Sequence, residues 1–263
     1  MFGIETRYLS FFFGLVSILS FFNIIYSYYL NLYLNLDTYY LSFFCSLVIS
    51  ILFYNLKFEQ KRLTIFNKIL TIFVGYIFIP LVLSIPFYFS TYNLTLLNSF
   101  FEAISGFTST GFTIFDNIKH IDQSLILWRS STQWIGGLYF LFSIIFLIDI
   151  YDENFKKTLT NFISFDSSEI FKQAIKIFLL YSVLTLIIFI ILNIFSIRTF
   201  DSLNLAFSLI SSGGFLPVNN LSIILKENSQ VIITSLLMLT SFFSIFFSYN
   251  LVFFKNRNIN FFY

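Results

Sequence analysis

The sequence predicts an all-α polytopic membrane protein with six transmembrane helices and two re-entrant units, each made of a short half-helix and a glycine loop. The first observation is composition: 57% of the 263 residues are hydrophobic and only 11% are charged, which is outside the usual range of soluble domains. The second is that apolar runs of about 20 residues, the length needed to cross a bilayer core, recur along the chain. The third is that two connections contain a short apolar segment followed by glycine and hydroxyl residues.

The apolar runs predict the spans and the organisation of the chain. The predicted spans are 8–30, 38–56, 68–90, 124–149, 174–197 and 229–254. The first run is too long for the core of a signal peptide, so it is predicted to be a retained span. We expect an N-terminal helix pair at 1–58, a first helix, half-helix and helix repeat at 59–150, and a second repeat with a basic tail at 151–263.

The basic residues predict the orientation of the chain. If all six predicted spans cross the membrane, most of the 15 Lys and Arg residues lie on the same side as the N-terminus. Four lie on the opposite side, namely Lys119, Arg129, Arg198 and Lys226. Because cytoplasmic loops are enriched in Lys and Arg, both termini are expected in the cytoplasm. The two glycine loops would then face the outside. The formal net charge of +2 gives no basis for nucleic-acid binding.

The two half-helices form an internal repeat. The segments 95–107 and 199–210 are mostly apolar, too short to span a bilayer, and each ends at a Ser/Thr/Gly cluster. Irregular backbone is tolerated at membrane depth only where it lines a cavity. Glycine lets successive carbonyls turn toward one axis, where they can replace the hydration shell of an ion. The negative C-terminal end of each half-helix would favour a cation.

The sequence therefore predicts a cation site built from backbone. Its residues would be Thr110, Gly111, Phe112 and Thr113 in the first loop and Ser212, Gly213, Gly214 and Phe215 in the second. Glu102, inside the first half-helix, is expected to brace the loop through hydrogen bonds rather than to face the ion, because carboxylates in membranes are usually paired. Asp201, at the start of the second half-helix, is expected to cap it and to attract cations.

Other residues leave two interpretations open. Trp128 and Arg129 fit either an interfacial anchor or support of the loop, and Gly136 and Gly137 fit close helix packing better than binding. With one His and one Cys in the chain, a metal site or a membrane enzyme is not expected. No nucleotide site is expected, because the chain has no Walker A loop or GxGxxG fingerprint, and no cofactor is expected in this chain.

Three phrases resemble a known family. FEAISGFTSTGFTIF, then WRSSTQWIGG, then FDSLNLAFSLISSGGFLPVNNLSI occur in this order, and together they resemble the Trk and Ktr potassium-uptake membrane subunits. The resemblance covers 60–254, and the opening helix pair resembles that of the Trk-type branch. It implies a pore in which four repeats each give one glycine loop to a K+ filter.

The resemblance also implies roles for single residues and partners. Gly111 matches the filter glycine of the first repeat and Gly213 that of the second. In related plant transporters a serine at the first position accompanies sodium transport, so glycine here favours K+. The family further implies a cytosolic nucleotide-binding regulatory subunit beneath the pore and a location in the inner, cytoplasmic membrane.

The chain departs from the family in its number of repeats. Family members carry four repeats, whereas this sequence contains two and therefore resembles only the N-terminal half. Two loops cannot close a four-loop ring, so a half-pore subunit is expected, completed by a second-half chain or by a second copy of itself. The alternative is a truncated or accessory protein of the same fold that does not conduct.

Overall fold

The computed structural model describes residues 5–56, 65–147 and 167–239. Their α-helices are α1 (Thr6–Tyr29), α2 (Leu36–Asn55), α3 (Ile65–Leu83), α4 (Ile85–Tyr88), α5 (Leu96–Phe107), α6 (Gln123–Leu147), α7 (Ser167–Ile194), α8 (Thr199–Ile210) and α9 (Asn228–Leu239). No strand occurs in these ranges. The all-helical class predicted from the sequence is confirmed.

Four helical segments of the described chain are long and apolar enough to cross a membrane. They are Thr6–Tyr29, Leu36–Asn55, Ile65–Tyr88 and Ile175–Ile194. The chain is therefore a multi-pass membrane protein, and the count of six spans stays a prediction. The last predicted span, 229–254, lies partly outside the described residues.

The third predicted span is broken near its end. α3 contains Pro80 and ends at Leu83, and α4 starts after Ser84 with Pro86 as its second residue. A proline in a helix lacks the N–H that would bond the carbonyl four residues earlier, and its ring crowds that carbonyl. The bonds missing at Pro80 and Pro86 account for the interruption of the helix within 65–88.

The first two helices form a hairpin held by small residues. Ser10 Oγ donates to Ser50 O and Ser50 Oγ donates to Ser10 O, each at 2.8 Å, while Ser20 Oγ donates to Ser42 Oγ at 3.1 Å. Small hydroxyl side chains let helix backbones approach closely and bond across the contact in a membrane. These bonds hold α1 and α2 together as a hairpin.

Helix α6 is the centre of the molecule. Every residue from 124 to 139 is buried, and the helix contacts α1, α3, α5, α7 and α8. Indole and phenol groups fasten it to its neighbours: Trp128 Nε1 donates to Leu83 O, Trp134 Nε1 to Thr185 Oγ1 and Tyr139 Oη to Ile72 O, each at 3.0 Å. Polar side chains on α6 therefore face protein, which is the environment in which a membrane helix tolerates them.

Candidate functional site

Both half-helices end in the same backbone turn. α5 ends at Phe107 and α8 at Ile210, and two residues later each chain passes through a serine with positive φ, 55° at Ser109 and 54° at Ser212. This left-handed conformation is uncommon for residues other than glycine. The two half-helices are therefore followed by the same backbone turn.

Backbone hydrogen bonds fix the register between the repeats. Thr110 N donates to Ser105 O at 3.0 Å, and Gly213 N donates to Ser208 O at 2.7 Å. Gly213 is therefore the counterpart of Thr110, and the next residue, Gly214, is the counterpart of Gly111. The pairing of Gly111 with Gly213 is thus corrected by one residue, because the bond to the serine carbonyl sets the alignment of the loops.

The two loops meet at this pair of glycines. Gly111 has φ of +80°, and a Cβ placed on it would lie 2.5 Å from Gly214 Cα and 2.8 Å from Gly214 N. Both the left-handed backbone and the close approach exclude a side chain at Gly111. Glycine is therefore required here by geometry.

The same hydrogen bonds determine where the carbonyls point. Thr110 N and Gly111 N both donate to Ser105 O, at 3.0 and 3.3 Å. In a trans peptide the C=O points opposite to the N–H of the same plane, so the carbonyls of Ser109 and Thr110 point away from the end of α5. By the same argument the carbonyl of Ser212 points away from the end of α8.

Glu102 contacts the first loop directly. Its side chain is fully buried, and its carboxylate accepts hydrogen bonds from Ile114 N at 3.1 Å and from Thr113 Oγ1 at 3.0 and 3.1 Å. A carboxylate that accepts several hydrogen bonds fixes the groups that donate them. Glu102 thus fixes Thr113 and Ile114, the part of the first loop that follows Phe112.

Arg129 connects both loops. Its side chain is 1% exposed, and Nε lies 2.7 Å from Glu102 Oε1. Nη2 donates to Thr113 Oγ1 at 2.9 Å, and Nη1 donates to Leu216 O of the second loop at 3.5 Å. The guanidinium also lies over the ring of Phe215, 4.3 Å from its centroid. Two interpretations of Arg129 were open, an interfacial anchor and a support of the loop. Its position at both loops fits the second.

Gln133 contacts the second loop, although the sequence alone assigned it no role. Its amide lies beside the second loop, with one side-chain atom 2.9 Å from both Gly214 N and Phe215 N, and the other 3.1 Å from Ser208 Oγ. The atom that faces two N–H donors must be the amide oxygen. The signal in the sequence was a polar side chain one helical turn after Arg129 within a predicted span.

The phenylalanines that follow the paired glycines have opposite environments. Phe112 is 69% exposed although its carbonyl accepts a 2.6 Å hydrogen bond from Ser105 Oγ. Its counterpart Phe215 is 1% exposed, beneath Arg129. Among the described residues, α6 covers the second loop, whereas none covers Phe112 on the equivalent face of the first loop.

Asp201 lies within α8, the half-helix before the second loop, and has a different role from the one expected. It is the third residue of α8, and the residue at the N-cap is Arg198. Its carboxylate is held by Arg198, with Nε to Oδ2 at 3.1 Å and Nη2 to Oδ1 at 3.2 Å. The cap assignment is therefore wrong, because the helix begins two residues earlier than Asp201.

An open cavity of about 500 Å3 lies at the C-terminal ends of the two half-helices. It is lined by both half-helix ends, including Ser109 and Ser212, and by Gly136 and Gly137 of α6. A Cβ on Gly136 would overlap the carbonyl of Phe107, so this glycine provides the close packing expected of it. The negative ends of the α5 and α8 dipoles point to this cavity, which favours a cation there. In the described ranges no three His, Cys, Asp or Glu side chains form a metal cluster.

Comparisons of the sequence with known proteins find cation transporters and potassium uptake proteins. The chain is 25% identical over 165 residues to an uncharacterized cation transporter of Methanocaldococcus jannaschii, covering 59% of this chain and 33% of that protein. It is 27% identical over 139 residues to the Trk system potassium uptake protein TrkH of Salmonella typhimurium, covering 50% of this chain and 29% of that protein. The Trk-type resemblance is confirmed.

A solved structure extends the comparison to the fold. The crystal structure of the potassium transporter TrkH from Vibrio parahaemolyticus matches with a TM-score of 0.76 at 18% identity, over 95% of this chain and 52% of that chain. The chain thus has a Trk-type fold and spans about half of this solved relative. No protein-family model matches the chain. The relatives are named as transporters and uptake proteins rather than as enzymes.

Proposed function

We propose that this chain takes part in K+ uptake and supplies two loops to a four-loop, K+-selective filter. The observation that carries the proposal is the pair of equivalent glycine loops, which meet at Gly111 and Gly214 within a Trk-type fold. The carbonyls of Ser109, Thr110 and Ser212 are turned away from their half-helices by backbone hydrogen bonds. Such carbonyls can replace the water around a cation of the right size.

The proposal includes a second unit that completes the filter. Two loops offer half of a coordination ring, so an ion would recover too little of its hydration energy from them alone. Phe112 supports this step, because its counterpart Phe215 is covered by a helix of the preceding repeat while Phe112 is 69% exposed. By the pseudosymmetry of the loops, a helix from the completing unit would cover Phe112.

We favour a separate chain over a second copy as the completing unit. In a homodimer the helix presented to Phe112 would be α9, whose described part, Asn228–Leu239, contains no arginine to repeat the contact of Arg129 with Phe215. Its glutamine, Gln230, bonds within its own chain to Lys226 N at 2.9 Å and Phe195 O at 3.0 Å. A cytosolic nucleotide-binding regulatory subunit is a further proposed partner, which rests on the family resemblance alone.

Growth rescue combined with subunit counting tests the function. The chain should restore growth at low K+ to cells that lack K+ uptake only when its completing unit is also expressed, and purified particles should then contain one copy of each. Rescue by the chain alone with two copies per particle would support the homodimer instead. A K+-selective monomer would contradict the half-pore proposal, and failure in every combination would favour a non-conducting accessory protein.

The proposed orientation places both glycine loops outside the cytoplasmic membrane. In a background with Cys45 replaced by serine, cysteines at Lys119 and Asn220, both exposed beside the loops, should react with an impermeant thiol reagent added to intact cells. A cysteine at Asn154, which is outside the described residues, should react only after the membrane is opened. The opposite pattern would reject the orientation derived from the basic residues.

A further inference from the structure

We propose that Gln133 is a positioning residue that sets the carbonyl directions of the second loop, and thereby its contribution to ion selectivity. This inference rests on the proposed function and extends it to a residue outside the filter. Gln133 lies on α6, behind the loop, and its side chain is fully buried. It reaches the loop through its amide group alone.

The first step of the argument is the hydrogen-bond pattern of the amide. Gln133 Oε1 accepts from Gly214 N and Phe215 N, each at 2.9 Å, and Nε2 donates to Ser208 Oγ at 3.1 Å. Each atom of the amide thus has a partner that fits it. With two N–H donors on its oxygen and Ser208 Oγ on its nitrogen, the buried amide has one favoured orientation, so it can fix two consecutive peptide planes.

The second step concerns those two peptide planes. The N–H of Gly214 shares its plane with the carbonyl of Gly213, and the N–H of Phe215 shares its plane with the carbonyl of Gly214. Since both N–H groups point to the Gln133 amide oxygen, both carbonyls point away from Gln133. Glycine planes rotate freely without such a constraint, so Gly213 and Gly214 depend on an external acceptor.

The third step is the close contact between Gln133 and Gly213. A Cβ on Gly213 would overlap the Gln133 amide group. Gly213 therefore has a reason to be glycine that differs from that of Gly111. It leaves room for the side chain that orients the loop, whereas its counterpart Thr110 in the first loop carries a side chain that is exposed.

The first test measures the loop itself in the purified full chain in lipid nanodiscs. Hydrogen–deuterium exchange at Gly214 and Phe215 should be slow in the wild type and about tenfold faster in Gln133→Leu, which keeps the volume and loses the acceptor. Gln133→Glu should stay near the wild type, because a carboxylate still accepts both N–H groups and Ser208 can donate to it. Ser131→Ala is the matched control, since Ser131 Oγ bonds only Leu127 O of its own helix among the contacts described.

The second test measures selectivity in the conducting assembly. The ratio of K+ to Na+ uptake should fall about tenfold in Gln133→Leu and remain near the wild-type value in Gln133→Glu and Ser131→Ala. Unchanged exchange in Gln133→Leu would overturn the positioning role, and faster exchange with unchanged selectivity would overturn its link to selectivity. If Gln133→Glu changed the exchange rate and the uptake ratio as much as Gln133→Leu, the packing of the side chain, rather than its acceptor oxygen, would position the loop. If the wild type transports no K+, the proposed function fails, while the exchange measurement still decides the positioning of the loop.

Discussion

Replacing Gly111 with valine is expected to abolish K+-selective uptake by the conducting assembly while the chain still inserts into the membrane. The backbone of Gly111 has φ of +80°, and its Cα faces the backbone of Gly214. The left-handed conformation alone costs about 1–2 kcal/mol for a residue with a Cβ. That free energy corresponds to roughly 5- to 30-fold fewer correctly formed loops, and the overlap with Gly214 increases the loss.

A graded series separates the filter from general glycine effects. Gly111→Ala should lower the ratio of K+ to Na+ uptake more than Gly214→Ala, since a Cβ on Gly214 would meet Gly111 Cα at 3.3 Å without a positive φ. Gly14→Ala in α1 is the control, because its Cβ would meet only Ser50 Oγ, at 3.3 Å. If Gly111→Val transports K+ with wild-type selectivity, the first loop does not form part of a filter.

The helix positions were largely predictable from the sequence. The half-helices expected at 95–107 and 199–210 correspond to Leu96–Phe107 and Thr199–Ile210. These boundaries are clear because an apolar run stops at glycine and hydroxyl residues that favour turns over helix. The long spans were visible for a similar reason, since a bilayer requires about 20 apolar residues in a row.

The contacts between loops and helices were not predictable in the same way. The strings STGF and SGGF share Ser and the final Gly-Phe, which favours matching Gly111 with Gly214, and the bonds to Ser105 O and Ser208 O establish this match. Likewise, the sequence indicates that Arg129 and Gln133 are unusual in a membrane helix. It does not say which loop each side chain reaches, because that depends on how α6 is rotated against α5 and α8.

Breaking the buried pair of Arg129 and Glu102 is expected to have the largest effect on stability. Both side chains are at most 1% exposed, and their closest atoms are 2.7 Å apart. Arg129→Met would leave the Glu102 carboxylate buried without its cation, a change that typically destabilises a protein by about 3–5 kcal/mol. It would also remove the hydrogen bonds to Thr113 Oγ1 and Leu216 O that connect the two loops.

A double substitution should separate these two consequences. Adding Glu102→Gln to Arg129→Met removes the unpaired charge and keeps an acceptor for Ile114 N, so the thermal unfolding midpoint of the purified chain should recover in part. The ratio of K+ to Na+ uptake should not recover, because neither side chain then joins the first loop to the second. Arg198→Met is the matched control: its pair with Asp201 involves an arginine that is 63% exposed, and such pairs contribute about 0–1 kcal/mol. Full recovery of selectivity in the double variant would show that Arg129 serves only to neutralise Glu102, and that other contacts, such as Gly111 with Gly214 and Ile118 N with Asn219 Oδ1, hold the loops together.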